Sequence, residues 1–236
     1  ASSPVEYILM AVPPDYDPKR LYPLAFLLHP ETGDPEASKP EPFVGVWAEP
    51  LNKRGWIVAS PKVPMYDNEQ SMGPLQESLR RVLKAYRIDE RRMVILGHNA
   101  GGIMGWRLAT QTPKLWAGVM TLSAEIHDSD RGALKSLAGK QAYIFRGEKD
   151  TYYTAAMLKA DQRYLDHAGV KLTVFEKPGW NNAFPTPDVE ALAAWVDGVY
   201  PPGGWKEKAD AVQKAIAEKA FGDAGRALAT LAGDLK

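Results

Sequence analysis

Asn99 stands at the centre of Gly97-His-Asn-Ala-Gly101, directly after the apolar run Met93-Val-Ile-Leu96 and before Ile103, Met104, Leu108 and Ala109 at helical spacing. A strand turning at once into a helix, with glycine two before and two after the central residue, is the frame of a nucleophile elbow. The flanking glycines are required because strand and helix backbones nearly touch there and a Cβ would clash. Attack on a carbonyl from such a turn needs a hydroxyl, a thiolate or a carboxylate. Asparagine offers only a neutral amide whose nitrogen lone pair is delocalised. The frame of a covalent catalyst is present and its nucleophile is missing. Asparagine is also among the few non-glycine residues that tolerate positive φ, so the substitution removes chemistry while keeping backbone geometry.

The passage Tyr86-Arg-Ile-Asp-Glu-Arg-Arg-Met-Val-Ile-Leu-Gly-His-Asn-Ala-Gly-Gly102 resembles the segment "D-x-x-R-[VI]-x-[VIL]-x-G-x-S-x-G-G" of α/β-hydrolase-fold esterases. The relatives it suggests are the polyhydroxybutyrate-depolymerase-like, feruloyl-esterase-like and dienelactone-hydrolase-like groups, over roughly residues 5–200. That resemblance implies a Ser–His–Asp site, and it implies where each member falls. Gln141-Ala-Tyr-Ile-Phe-Arg-Gly-Glu-Lys-Asp150 is similar to the strand carrying the triad acid, which puts the acid at Asp150. Pro178-Gly-Trp-Asn-Asn-Ala-Phe-Pro185 is similar to the turn carrying the catalytic histidine, and Asn182 stands at that place, with Asn181 next if the loop is one residue shorter. His29-Pro30-Glu31-Thr32-Gly33 falls on the oxyanion loop, where Pro30 has no N–H to give; Ala100 would supply the other donor.

Of the relay such a fold needs, only the carboxylate remains. Asn182 cannot take up and return a proton in the accessible pH range. The expectation is therefore a catalytically inactive α/β-hydrolase-like domain that binds a ligand or a partner. Two alternatives stay open. One is a carboxyl-ester hydrolase whose catalytic residues are displaced or engineered out, with His127 as the best substitute base. The other is a structural domain that uses its C-terminal tail as a contact. The residues expected at the ligand are His29, His98, Tyr152, Trp180 and Phe184. Tyr153, Met65, Tyr66 and Met72 are added from segments the family places at the site mouth. Aromatic and thioether side chains there suit a small apolar or aromatic ligand; the same residues packing on one another over a closed pocket is the competing reading. His98 and His29 also read as packing and loop-stabilising residues, and His167 as surface.

These groups have to be carried by alternating strands and helices. Strands are expected over Val5–Val12, Tyr22–His29, Gly55–Ser60, Met93–Leu96, Ala117–Leu122 and Lys171–Glu176, and the resemblance implies another within Gln141–Asp150. Helices are expected over Phe43–Arg54, Leu75–Tyr86, from Ala100, from Tyr153 to Ala168, and over Pro187–Tyr200, with Pro61–Pro74 a long irregular loop. That alternation implies a mostly parallel sheet covered on both faces. Residues 1–204 form this domain. Residues 205–236, rich in Ala, Lys and Glu, form a helical extension that resembles nothing in the hydrolase core.

The chain has 236 residues, with Lys+Arg and Asp+Glu both 29, and points to no nucleic-acid partner. No apolar run reaches the roughly 18 residues of a membrane span. Without cysteine there is no disulfide framework or thiolate site. The four histidines have no His-X-X-X-His spacing and Gly101-Gly102 is no phosphate loop, so neither metal nor cofactor is expected. The start Ala1-Ser-Ser-Pro4 fits a processed secreted chain or a cytoplasmic one, and the oligomeric state is left open.

Overall fold

The computed structural model describes residues 5–31, 38–63, 69–200, 207–211 and 214. One seven-stranded sheet runs through it in the order β1-β3-β2-β4-β5-β6-β7. The strands are β1 (Tyr7–Ala11), β2 (Tyr22–Leu28), β3 (Ile57–Lys62), β4 (Ile88–His98), β5 (Gly118–Leu122), β6 (Gln141–Gly147) and β7 (Lys171–Lys177). β1 is antiparallel to β3, and every other pairing is parallel. The helices are α1 (Pro40–Asn52), α2 (Glu69–Ala85), α3 (Ala100–Gln111), the single turn α4 (Asp128–Arg131), α5 (Ala155–His167) and α6 (Val189–Asp197).

The period of two in the apolar strands divides the core into two layers. Leu24, Phe26, Met93 and Ile95 pack under Leu75, Leu79, Met104, Leu108, Leu158 and Leu165 of α2, α3 and α5. Ala25, Leu27, Val94, Leu96 and Met120 face Phe43, Trp47, Leu51, Leu192 and Val196 of α1 and α6. The edge strand β7 buries no residue fully and leaves Phe175 exposed. This is the α/β-hydrolase fold, a mixed sheet with helices on both sides, as the alternation of strands and helices implies.

Three expectations about elements change. β4 begins five residues before Met93. Its first half, Asp89-Glu-Arg-Arg92, is polar because Arg91 pairs with Asp89 and Arg92 with Asp197 at the sheet's end. The presumed loop Pro61–Pro74 is mostly regular: β3 continues to Lys62 and α2 starts at Glu69, with Pro74 inside the helix. Met72 accordingly lies in the core and not at a rim; Met65 and Tyr66 fall outside the described residues. α1 starts at Pro40, where the fixed φ of proline suits the first helical turn. Of the tail 205–236, only residues 207–211 and 214 are described, and they are helical. Among the described residues no helix is long and apolar enough to cross a membrane.

Candidate functional site

The elbow is tighter than its glycine spacing alone conveys. A Cβ on Gly97 would lie 2.4 Å from the Gly101 carbonyl oxygen, and one on Gly101 would lie 2.1 Å from that of Leu28. Backbone fills the space where any side chain would go, so the strand–helix contact can form only with glycine at both places. Between them Asn99 has φ 49° and ψ −122°. The positive φ agrees with expectation, but ψ lies far from the left-handed helical basin that asparagine tolerates. This is the first central position of a type II′ turn, where glycine is the natural occupant. The strain is held by hydrogen bonds on both sides. The Asn99 N–H donates to Leu122 at 3.0 Å, and its carbonyl accepts from Gly102 at 2.8 Å and Ile103 at 3.1 Å.

Asn99 opens onto a cleft of about 490 Å³ lined by Glu31, Asn99, Ala100, Ile103, Ser123, Ala124, Glu125, Tyr152, Tyr153 and Asn182. The carboxyl ends of β4, β5 and β6 bring these segments together, as parallel sheets do at their ligand edges. Asn99 and Asn182, some eighty residues apart in sequence, share this cleft. Asn181 turns its side-chain carbonyl back to the Ala183 N–H at 2.9 Å, within its own loop. Two contacts hold that loop down: the Lys149 N–H donates to the Trp180 carbonyl at 2.7 Å, and only glycine at 147 leaves room for the Asn181 carbonyl. Asp150 is buried. One carboxylate oxygen accepts the N–H groups of Tyr152 and Tyr153 at 2.9 and 3.0 Å, and the other is buried without a partner.

Of the five residues expected at the ligand, Tyr152 lines the Asn99 cleft and is 74% exposed. His98 and Phe184 instead border a second, smaller cavity of about 210 Å³ with Pro30, Lys39, Pro42, Phe43, Val46 and Thr186. There the rings of Phe43, His98 and Phe184 pack on one another. His29 and Trp180 line neither space. His29 is wholly buried, with Nδ1 on the Pro30 carbonyl at 3.0 Å, and Trp180 stacks under the Lys177 ammonium. Burial lowers the pKa of both His29 and His98. Tyr153 is a wall residue whose phenol, raised well above its usual range by burial, donates to the buried Asp161 at 3.0 Å.

All four histidines are among the described residues, and none lines the cleft that holds Asn99. His98 donates Nε2–H to the Asn182 carbonyl at 2.9 Å. His167 ends α5 at the surface beside Arg163 and Tyr164. His127, the expected substitute base, lies beyond β5 and caps α4, where Nδ1 accepts the Ser129 N–H at 3.4 Å and meets the Ser129 hydroxyl at 2.9 Å. Glu31, Ser123 and Glu125 line the cleft without having been singled out in sequence. Ser123 and Glu125 could have been found from their place immediately after β5, beside the elbow. Ser123 also has a positive φ of 51° and a buried hydroxyl without a partner. Among the described residues no cluster of His, Asp or Glu has the arrangement of a metal site.

No protein-family model matches the sequence, and no curated protein matches it. Among solved structures the chain is similar to a thermostable esterase, at 22% identity and a TM-score of 0.66 over 82% of this chain and 59% of that one. It is also similar to Est1E from Butyrivibrio proteoclasticus, at 14% identity and a TM-score of 0.64 over 83% and 96% of the two chains. A third likeness is an S-formylglutathione hydrolase from Agrobacterium tumefaciens, at 16% identity and a TM-score of 0.62 over 82% and 89%. The chain thus spans only 59% of the thermostable esterase's length. At these identities the likeness is one of fold.

Proposed function

We propose that this chain is a non-catalytic member of the esterase-like α/β-hydrolase folds, which holds a small ligand in the Asn99 cleft and does not cut it. The observation that carries this reading is the absence of an imidazole from that cleft, with every histidine of the chain accounted for elsewhere. Acyl transfer on this fold needs a base within hydrogen-bond reach of the nucleophile. Here Asn99 and Asn182 bring amides to the cleft, which donate and accept hydrogen bonds without moving protons. With Tyr152, Tyr153 and Ile103 on the walls, the cleft suits a compact neutral ligand with an aromatic or apolar body and a carbonyl or hydroxyl. The carboxylates of Glu31 and Glu125 disfavour anions.

Titration with phenyl acetate, followed by protein NMR and by product release, tests this. Binding without turnover is expected, with Asn99→Leu and Tyr152→Ala weakening it; turnover that survives Asn99→Ala overturns the proposal.

One observation favours a second reading, that of an ester hydrolase with a displaced pair. Ser129 Oγ lies 2.9 Å from His127 Nδ1 and accepts from Arg107 at 3.1 Å. The likeness to esterases makes a carboxylic ester the substrate class for any activity found. Against it, the contact is a local helix cap, and neither residue lines the Asn99 cleft. Fluorophosphonate labelling at Ser129 would establish this second reading, and its absence removes it.

A further inference from the structure

The backbone at the elbow does more than retain the shape of a lost site. The substituents of a tetrahedral carbon are about 120° apart in projection, so in an L-residue a ψ near −120° eclipses the Cα–Cβ bond with the bond to the next residue's nitrogen. Asn99 has ψ −122°. Its side-chain amide carbon and the Ala100 nitrogen are therefore on the same side, and rotation about χ1 alone brings them together to close a five-membered ring. Ordinary asparagines in helices and strands are kept from this by their ψ and by hydrogen bonding of the following N–H. Neither protection applies here. Ala100 is the first residue of α3, one of the helix-start N–H groups that have no intrahelical acceptor, and among the described residues no other acceptor holds it. Asn99 also borders the open cleft, so water reaches it.

We propose that Asn99 is a self-modifying residue, converted through a succinimide to a carboxylate by the elbow that holds it. The Ala100 nitrogen bonds to the Asn99 side-chain carbonyl carbon. The C–NH2 bond breaks, and the proton lost from Ala100 leaves with the departing nitrogen as ammonia. Water then adds to one of the two ring carbonyls. Opening at the side-chain carbonyl restores the peptide bond and gives aspartate; opening at the main-chain carbonyl gives isoaspartate. The net change consumes one water and releases one ammonia, with no oxidant or cofactor. Aspartate puts a negative charge beside Glu31 and Glu125 and turns the cleft towards cations. Isoaspartate lengthens the main chain at a turn where Gly97 and Gly101 leave no slack.

The test uses the full chain without ligand, aged in mildly alkaline heavy-oxygen water. Tryptic cleavage releases Met93–Arg107, whose one amide side chain is that of Asn99. Preorganisation predicts conversion at this position on the order of tenfold faster in the folded protein than in the urea-unfolded chain. It also predicts isoaspartate among the products and capture of the ring by hydroxylamine. Asn99→Gln, whose ring would need a sixth member, should convert on the order of tenfold more slowly than Asn99. Equal or slower conversion on folding overturns the proposal. So does conversion that yields neither isoaspartate nor a hydroxylamine adduct, or conversion of the glutamine variant at the same rate.

Discussion

The His98 imidazole donates to the Asn182 carbonyl at 2.9 Å, joining the last residue of the elbow strand to the loop that follows β7. The ring also stacks on Phe43 and is 6% exposed, so it fixes that loop over the sheet while staying out of the Asn99 cleft. Burial holds its pKa below the ordinary 6.5. The neutral ring is the folded form, and the unfolded chain binds the extra proton first. Stability is therefore full above about pH 6.5 and falls as the pH drops below it. His29, also buried, adds to the same slope. Replacing His98→Phe keeps the ring and orphans the Asn182 carbonyl, which should cost about 1 kcal/mol at neutral pH. It should also make the acid limb of a urea-midpoint profile shallower. An unchanged limb would mean that His98 is not titrating on unfolding.

Gly101→Ala puts a methyl group 2.1 Å from the Leu28 carbonyl oxygen. The obstacle is backbone of the neighbouring strand, which cannot swing aside, so the loss should be about 2–4 kcal/mol in chemical denaturation. Gly132→Ala is the matched control, because nothing lies within 4 Å of its added Cβ. That variant should stay within about 0.5 kcal/mol of the parent. Similar losses at both positions would show that the strand–helix approach is not what requires glycine at 101.

Tyr153 and Asp161 make a second buried polar joint behind the cleft wall. Asp161 is wholly buried, and one oxygen accepts both the Tyr153 hydroxyl and the Ile126 N–H at 3.0 Å. Desolvation raises its pKa above the ordinary 3.8. Tyr153→Phe removes one donor and should cost about 1–2 kcal/mol at neutral pH. Because the protonated acid needs fewer donors than the carboxylate, that loss should shrink as the pH falls towards the raised pKa. A loss independent of pH would assign the effect to packing alone.

The parts of the site legible in sequence are those where one residue type is forced by backbone contact. Gly97 and Gly101 announce the elbow, and the likeness of Pro178–Pro185 to a family turn points to the loop that brings Asn182 to the cleft, whereas the need for glycine at 147 emerges only from the structure. Continuous apolar runs likewise give β2 and β5 nearly to the residue. The rest is hidden where a local signal opposes the tertiary outcome. Pro74 reads as a helix stop yet sits inside α2, and the charges of Asp89–Arg92 mask the first half of β4, where Arg91 pairs locally with Asp89 and only Arg92 reaches a distant partner, Asp197. Which aromatic residues reach the cleft was less legible still. Tyr152, Trp180 and Phe184 all come from the expected loops, but the side-chain directions that put only Tyr152 at the Asn99 cleft follow from packing and not from spacing.

On the proposed non-catalytic reading, the arrangement around Asp150 predicts that two substitutions confer ester hydrolysis. One carboxylate oxygen is buried without a partner, while the other is fixed by two backbone N–H groups. An unpaired buried carboxylate oxygen is costly, and the natural occupant of that position in a triad is an imidazole N–H. The turn carrying Asp150 is tied to the loop carrying Asn182 by the Lys149–Trp180 hydrogen bond, so the two segments are held side by side. The double change Asn99→Ser with Asn182→His should therefore hydrolyse 4-nitrophenyl acetate at least about a hundredfold faster than the parent chain and take up a fluorophosphonate at position 99. Neither single change should do so, because a hydroxyl without a base and a base without a hydroxyl leave the relay broken. If the double variant folds and stays inert, the fault lies in the oxyanion side. Pro30 has no N–H to give, and Ala100 alone would face the developing charge. Pro30→Gly added to the double variant then separates a missing donor from a site that the fold no longer supports.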